Sequence, residues 1–263
     1  MHGALPAGEC WPAFRAAVEQ HKTGLRRLVD HPVQTNEVAR SCGLLGGFLL
    51  IARETGLPVR LMEIGASAGL NLRWDQYWYR AGTGGWGRPA STVQFATVFL
   101  EALPPLETRV SVVARLGCDL NPLHPNLPET ELILRSFTWP DHVERHERLR
   151  AALDIARRVP APLDRADAVA WLEAQLSSST PGPATVVFHF VVMPYLSPQA
   201  RERVGELLRE AGSRATSGAP VAWLRMEPGG EHADVRLTVW PGGVERLIAT
   251  AAFHGPPVRW LVS

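Results

Sequence analysis

Residues 61–72 read LMEIGASAGLNL: an apolar run that carries one acid, Glu63, followed by small residues between Gly65 and Gly69. A buried strand, a small-residue turn and a helix in this order are typical of the ligand loop of an α/β sheet. Small residues let a ligand approach the backbone, and N–H groups at a helix start favour anions. The stretch predicts a cofactor loop or a tight turn, with a helix running on to about Arg80.

The flanking segments alternate between short apolar runs and helical patterns. Continuous apolar runs predict strands buried on both faces, at 59–64, 109–114, 184–192 and 220–227. Helical patterns follow at 141–158, 167–178 and 198–211. This alternation predicts an α/β fold with a mostly parallel central sheet and helices on both faces.

The two ends of the chain and one internal segment depart from the alternation. Residues 235–240 and 244–253 flank a Pro-Gly-Gly turn and predict a C-terminal antiparallel hairpin. Residues 1–57 read as an N-terminal helical extension packed on the core, and residues 58–263 as the α/β domain. An insertion at about 81–108 is rich in turn residues, so we expect it to form a lid or a wall.

Composition limits the function classes. The 263 residues are 46% apolar, which suits a folded core, and the net charge of +1 offers no basic field for nucleic acid. The three cysteines form no CxxC pair, and His142 and His146 lack a third ligand, so we expect no metal site. The sequence shows no membrane-length apolar run and no secretory signal, so we expect a cytoplasmic protein with no membrane partner.

The spacing of small residues distinguishes between known cofactor loops. Ser67 stands where the dinucleotide fingerprint G-x-G-x-x-G has its middle glycine, and no third glycine follows. The loop instead resembles the first motif of class I S-adenosylmethionine-dependent methyltransferases, in which an acid precedes G-x-G-x-G. Glu63, Gly65, Ser67 and Gly69 fall on those positions. The resemblance implies a Rossmann-like class I methyltransferase fold with S-adenosylmethionine as cofactor.

Two further positions fit this resemblance. Asp119, with Leu120 beside it, stands where the family has an acid on the ribose hydroxyls, and the pair Asp167-Ala168 resembles the acidic–small pair near the adenine amino group. The structural alternatives are an Asx turn for Asp119 and a helix N-cap for Asp167. The other predicted cofactor-binding residues are those of the loop and two flanking side chains: Glu63, Gly65, Ala66, Ser67, Gly69, Asn71 and Arg40. Arg40 would pair with a carboxylate.

A closer resemblance covers most of the chain. The stretches that carry it are TNEVARS (35–41), EIGASAGLNLRWDQYWYR (63–80), ARLGCDLNP (114–122), WPDHVERHERLRAAL (139–153), VVFHFVVMPYL (186–196), WLRMEP (223–228) and HGPPVRW (254–260). They are similar to a bacterial domain-of-unknown-function family, number 2332. That family is regarded as methyltransferase-like and implies no settled activity.

Side chains at the strand ends are the catalytic candidates, because ligands of open α/β sheets gather at the carboxyl ends of strands. His189 lies near the carboxyl end of one predicted strand, Tyr195 follows that strand, and Glu227 ends the next one. His254 precedes Gly255-Pro256-Pro257 and would approach from the last hairpin. A general base is needed only for an acceptor that must lose a proton. The structural alternatives are a hydrogen-bonded core histidine and a role in shaping loops.

Other functions remain open alternatives. The letters GASAG also satisfy G-x-S-x-G, the nucleophile elbow of serine hydrolases, with Ser67 as nucleophile and Glu227 and His254 as partners. Ser67 in place of a glycine also suits a non-catalytic ligand-binding or interaction module, and a dinucleotide oxidoreductase is a further alternative. We expect a methyltransferase that acts on a small molecule. The sequence does not determine the oligomeric state.

Overall fold

The computed structural model describes residues 7–29 and 33–262. The chain divides into two compact units, Met1–Gln34 and Thr35–Ser263. The second unit contains both the sheet and the helix that precedes the first strand. In the described residues, no helix has both the length and the apolar character needed to span a bilayer.

The helices and strands follow one another in the order expected for alternating α/β units. The helices are α1 (Ala7–Gln20), α2 (Lys22–Val29), α3 (Ser41–Thr55), α4 (Pro128–Ser136), α5 (Val143–Arg158), α6 (Ala168–Gln175) and α7 (Pro198–Ser213). The strands are β1 (Val59–Ile64), β2 (Trp78–Ala81), β3 (Gly84–Gly87), β4 (Gln94–Phe95), β5 (Val112–Asp119), β6 (Leu163–Arg165), β7 (Ala184–Phe190), β8 (Val221–Pro228), β9 (Ala233–Trp240), β10 (Glu245–Ala252) and β11 (Gly255–Trp260).

Eight strands form the central sheet, in the order β11-β10-β9-β8-β7-β1-β5-β6. The five strands from β8 to β6 are parallel, and β9, β10 and β11 are antiparallel. The mostly parallel sheet and the hairpin of β9 and β10 were both expected from the sequence. The additional strand β11 was not, because its Pro256-Pro257 pair lacks the N–H groups that a strand normally donates.

Successive residues of β1 and β7 face opposite helical layers. Leu61 and Phe188 belong to a buried cluster with α3, whereas Met62 and Val187 belong to a second cluster with α6 and α7. Helices therefore cover both faces of the sheet, and the strands are mostly apolar for this reason. Each fully buried side chain of this size contributes about 1.5–3 kcal/mol relative to an exposed one.

Two sequence predictions near the glycine loop need correction. The helix expected to run from Gly69 to about Arg80 is wrong: a 3-10 helix, Leu70–Gln76, is followed by β2. The aromatic residues of β2 favour a strand, and Tyr77 donates its hydroxyl to the Leu70 carbonyl over 2.6 Å, which closes the turn. The strand expected at 109–114 occupies Val112–Asp119 instead, so Asp119 is its last residue.

The insertion at 81–108 is built into the wall of the domain. The strands β3 and β4 of the insertion flank β2 in a small sheet of order β3-β2-β4. Val93, Phe95 and Val98 are buried in the main core cluster. Leu100 donates its N–H to the Val258 carbonyl over 3.1 Å, and Val258 donates to the Val98 carbonyl over 2.9 Å. These contacts attach the insertion along the outer edge of β11.

Candidate functional site

The carboxyl ends of β1, β5, β7 and β8 lie at one edge of the sheet, where the sequence places most candidate residues. Gly65 follows β1 and is exposed, although its neighbours in the loop are buried. Asp119 ends β5 and is half-buried, and Leu120 beside it is 66% exposed. The backbone N–H of Ser67 donates to Asp119 Oδ2 over 2.9 Å, so the two predicted motifs are in direct contact.

The glycine loop contains three residues in the left-handed region. Gly65 has φ 67°, Ser67 has φ 52° and Gly69 has φ 64°. A Cβ on Gly65 would lie 2.6 Å from Val192 Cγ2, and one on Gly69 would lie 2.8 Å from an Arg73 guanidinium nitrogen. Both glycines are therefore required by the packing of the protein itself. The left-handed backbone conformation of Ser67 costs about 1–2 kcal/mol of stability. The hydrogen bond from Ser67 N to Asp119 partly offsets this cost.

The N–H groups of this loop are used within the protein. Ala66 donates to the Cys118 carbonyl over 2.9 Å, and Gly69 donates to the Ala66 carbonyl over 2.6 Å. Leu70, which begins the 3-10 helix, donates to Asn36 Oδ1 over 2.9 Å. Together with the bond from Ser67 to Asp119, these contacts stabilise the loop, and none of these four N–H groups points at a ligand.

Asp119 anchors the loop through both of its carboxylate oxygens. Oδ2 accepts from Ser67 N, and Oδ1 accepts from Asn121 N over 2.9 Å, which is the geometry of an Asx turn. The structural alternative for Asp119 is therefore present. A ribose-binding role requires the same carboxylate to accept hydroxyl groups in addition to these two N–H groups.

Glu63 is a buried acid behind the loop. It is 1% exposed, and its Oε2 has no hydrogen-bond partner within the described ranges. Burial raises the pKa of Glu63 well above its ordinary value and outweighs the opposing effect of Arg73. The neutral form is therefore favoured. Arg73, which the sequence reasoning missed, fixes the loop by donating to the carbonyls of Val159 over 2.9 Å and Gly69 over 2.6 Å.

His189 and Glu227 meet in a hydrogen-bonded chain that starts at Trp223. The indole N–H of Trp223 donates to His189 Nε2 over 3.0 Å, and Trp is only a donor, so Nε2 accepts and the ring proton lies on Nδ1. Nδ1 donates to Glu227 Oε1 over 2.7 Å. Both ring nitrogens are thus engaged, and His189 orients Glu227 instead of offering a lone pair to a substrate. Sequence reasoning did not identify Trp223, a tryptophan in a buried strand.

The loop after β7 completes this side of the site. Val191 has φ 52°, which is a strained conformation for a β-branched residue. The strain turns the chain so that Val192 and Met193 donate their N–H groups to Glu227 Oε1 over 2.9 and 3.4 Å. Tyr195 follows in the same turn and is 76% exposed. Strain of this kind is frequent at ligand sites, and here it serves to hold Glu227.

Ionisable side chains from three other segments interact with one another and with Tyr195 and Glu227. Arg40 donates its Nε to the Phe253 carbonyl over 3.0 Å, and burial lowers its pKa while Glu37 and Tyr195 oppose this effect. Glu37 forms an ion pair with Arg145 from α5. The pKa of His254 is lowered by burial and by Arg145. Glu37 stands in the sequence beside Arg40 at the start of a predicted helix, whereas Arg145 has no signal beyond its presence in a family-like stretch.

The remaining predicted residues have structural contacts. Asn71 donates from Nδ2 to the Glu37 carbonyl over 3.3 Å, which ties the 3-10 helix to the segment before α3. Asp167 caps α6, because its Oδ1 accepts from Val169 N over 2.9 Å and Ala170 N over 3.2 Å, and Ala168 is buried behind it. His142 precedes α5. Over residues 7–29 and 33–262, no group of three or more His, Cys, Asp or Glu side chains is arranged to hold a metal ion.

The model of the family described as "Uncharacterized protein conserved in bacteria (DUF2332)" matches residues 1–260. The match covers nearly the whole chain, so the chain belongs to this family, as its sequence stretches suggested. No curated protein matches the chain.

Proposed function

We propose that this member of the DUF2332 family binds S-adenosylmethionine and methylates a small molecule. The observation that carries the proposal is the contact of the glycine loop with Asp119 through Ser67, with Gly65 and Leu120 both exposed at this sheet edge. S-adenosylmethionine supplies an electrophilic methyl group when bound. The protein then mainly has to position donor and acceptor, and no nucleophile of its own is required.

The strand order supports a class I methyltransferase-like fold. Across the sheet, the five parallel strands stand in the order β6-β5-β1-β7-β8. Counted along the chain, these are the third, second, first, fourth and fifth of the parallel strands. The order reverses direction beside β1, and open α/β sheets bind ligands at such a switch point. The glycine loop follows β1, and Asp119 ends the neighbouring β5. The antiparallel part is a run of three strands, one more than the hairpin expected.

The hydrogen bonds of the loop favour S-adenosylmethionine over a dinucleotide. A pyrophosphate is bound by available N–H groups at the start of a helix. Here the N–H groups of Ala66, Ser67, Gly69 and Leu70 already have protein acceptors, and the helix that follows is a short 3-10 helix. S-adenosylmethionine carries no phosphate, so it needs only the close approach that the exposed Gly65 permits.

The residues of the edge fit the parts of this cofactor. Leu120 offers an exposed apolar side chain to the adenine, and Asp119 would accept the ribose hydroxyls. Arg40, held at Nε by the Phe253 carbonyl, would pair the carboxylate of the methionine end. The pair Asp167-Ala168 would lie toward the adenine amino group, with Asp167 also serving as the cap of α6.

A non-catalytic binding module is the second candidate function. It is favoured by Asp119, whose two oxygens already accept from Ser67 and Asn121. The serine hydrolase is less well supported, because Glu227 bonds to His189 and not to the predicted partner His254. His189 in turn has both ring nitrogens engaged, so it has no lone pair to offer to Ser67.

Calorimetric titration with S-adenosylmethionine, S-adenosylhomocysteine and NADH tests the proposal. We expect both sulfur ligands to bind and NADH to give no heat of binding. Asp119→Ala should weaken S-adenosylhomocysteine at least tenfold, which corresponds to about 1.4 kcal/mol and to the loss of charge-assisted bonds. Asp154→Ala, which removes a surface carboxylate on α5, is the matched control.

Three results would count against the proposal. If neither S-adenosylmethionine nor S-adenosylhomocysteine binds, the methyltransferase hypothesis is wrong. If Asp119→Ala binds S-adenosylhomocysteine as tightly as the wild type does, Asp119 does not bind the ribose. Ester hydrolysis that disappears in Ser67→Ala would make the hydrolase the leading function.

A further inference from the structure

One oxygen of Glu227 is saturated with donors and the other has none. Oε1 accepts from His189 Nδ1, Val192 N and Met193 N, at 2.7, 2.9 and 3.4 Å. Oε2 is shielded from solvent and has no hydrogen-bond partner in the described part of the chain. The carboxylate is therefore held in one orientation by the loop after β7, with its second oxygen left for a donor from elsewhere.

Among the described residues, no ion pair joins a lysine or an arginine to this carboxylate. Glu227 has an electrostatic effect on the pKa of Arg40, but Glu37 and Tyr195 influence that pKa more strongly. The Nε of Arg40 is bound to the Phe253 carbonyl, and the ion pairs found over residues 7–29 and 33–262 include none between Arg40 and Glu227. His189 carries its proton on Nδ1 alone, because Nε2 accepts from Trp223.

We propose that Oε2 of Glu227 accepts a hydrogen bond from an N–H group of a small amine, which is the methyl acceptor. In the transfer the neutral amine nitrogen would attack the methyl carbon, the bond from this carbon to the sulfonium sulfur would break, S-adenosylhomocysteine would leave, and Oε2 of Glu227 would take the proton that the nitrogen loses. An amine or ammonium nitrogen forms a charge-assisted hydrogen bond to a carboxylate, whereas a carboxylate or thiolate acceptor is repelled. Tyr195, two residues after Met193, adds an exposed aromatic ring on the same loop, and such rings attract cations. The acceptor role rests on the proposed function; the binding of an amine at Glu227 does not.

The test is a calorimetric titration of the full chain, with and without saturating S-adenosylhomocysteine. The probes are a set of primary amines paired with alcohols of the same shape, beginning with phenethylamine against 2-phenylethanol and putrescine against 1,4-butanediol. We expect at least one amine to bind at least tenfold more tightly than its paired alcohol. Glu227→Gln keeps the size of the side chain but removes the charge, and it should abolish this preference.

Two further variants make the result interpretable. Glu245→Gln removes a carboxylate from the surface pairs with Arg225 and Arg236 and should leave the amine preference unchanged. Glu227→Asp keeps the charge but withdraws it by one methylene, so it should weaken the amine at least tenfold even if Glu227→Gln fails to fold.

The outcomes separate the two proposals. If S-adenosylhomocysteine binds and every amine binds no better than its alcohol, the amine inference is overturned and the proposed function stands. Equal amine affinity in wild type and Glu227→Asp also overturns it. If S-adenosylhomocysteine fails to bind, the proposed function is lost, and the titration without it decides whether Glu227 holds amines.

Discussion

Replacing Gly65 by alanine should destabilise the protein by about 2–5 kcal/mol, without any ligand present. The left-handed φ of 67° costs an alanine about 1–2 kcal/mol. The new Cβ would also lie 2.6 Å from Val192 Cγ2, and overpacking of this kind adds about 1–3 kcal/mol. Gly56 separates the two effects, because it has φ 66° at the end of α3 but no atom within 4 Å of an added Cβ.

The assay is urea unfolding of the wild type and of Gly65→Ala, Gly56→Ala, Val192→Ala and the double variant Gly65→Ala/Val192→Ala. Gly56→Ala should lose only the backbone contribution, about 1–2 kcal/mol. Val192→Ala removes the clashing methyl, so the cost of Gly65→Ala in that background should fall to the Gly56→Ala value. Equal losses for Gly65→Ala and Gly56→Ala in the wild-type background would refute the packing explanation for Gly65.

Two further predictions concern the histidines. Trp223→Phe leaves His189 Nε2 without a donor and should cost about 1–3 kcal/mol in urea unfolding. The ¹⁵N signal of Nε2 should shift because this nitrogen loses its donor, while Nδ1 keeps its proton against Glu227; an unchanged Nε2 signal would contradict this chain of bonds. The pKa of His254 is lowered below its ordinary 6.5, so the folded protein favours the neutral ring. Its contribution to the free energy of unfolding is present above pH 6.5 and is lost as the pH falls through the lower pKa of the folded state. His254→Asn should therefore flatten the decline in unfolding free energy below pH 6.5, by less than about 0.5 kcal/mol because the side chain is exposed; an equal decline in both proteins would argue against the shift.

The sheet could be predicted from sequence wherever both faces of a strand are buried. Such strands are mostly apolar on both faces, and β1 was located at its observed bounds for this reason. The same signal failed where side chains have other tasks. β11 contains two prolines, and the residues after Gly69 are aromatic enough to form β2 where a helix was expected. The family was also identified correctly from short stretches of sequence.

The positions of the site residues were easier to predict than their roles. Parallel strands bring their carboxyl ends to one edge, so Gly65, Asp119, His189 and Glu227 were expected to be neighbours. Which partner each one takes depends on three-dimensional contacts that have no local pattern. Trp223 fixes the tautomer of His189 across two strands, and burial makes the acid Glu63 favour its neutral form. The cofactor and the reaction stay predictions.

The segment from Val98 to Leu100 also bears on how the protein avoids aggregation. An open sheet edge exposes backbone groups that can pair with another chain, and proteins protect such edges with prolines, charges or covering segments. β11 combines all three, with Pro256-Pro257, the ion pair of Arg259 with Glu101, and the hydrogen bonds of Val258 to the insertion. The opposite edge strand, β6, has only three residues. Shortening the insertion to engineer a smaller domain would therefore expose the edge of β11, whose backbone groups could pair with another chain.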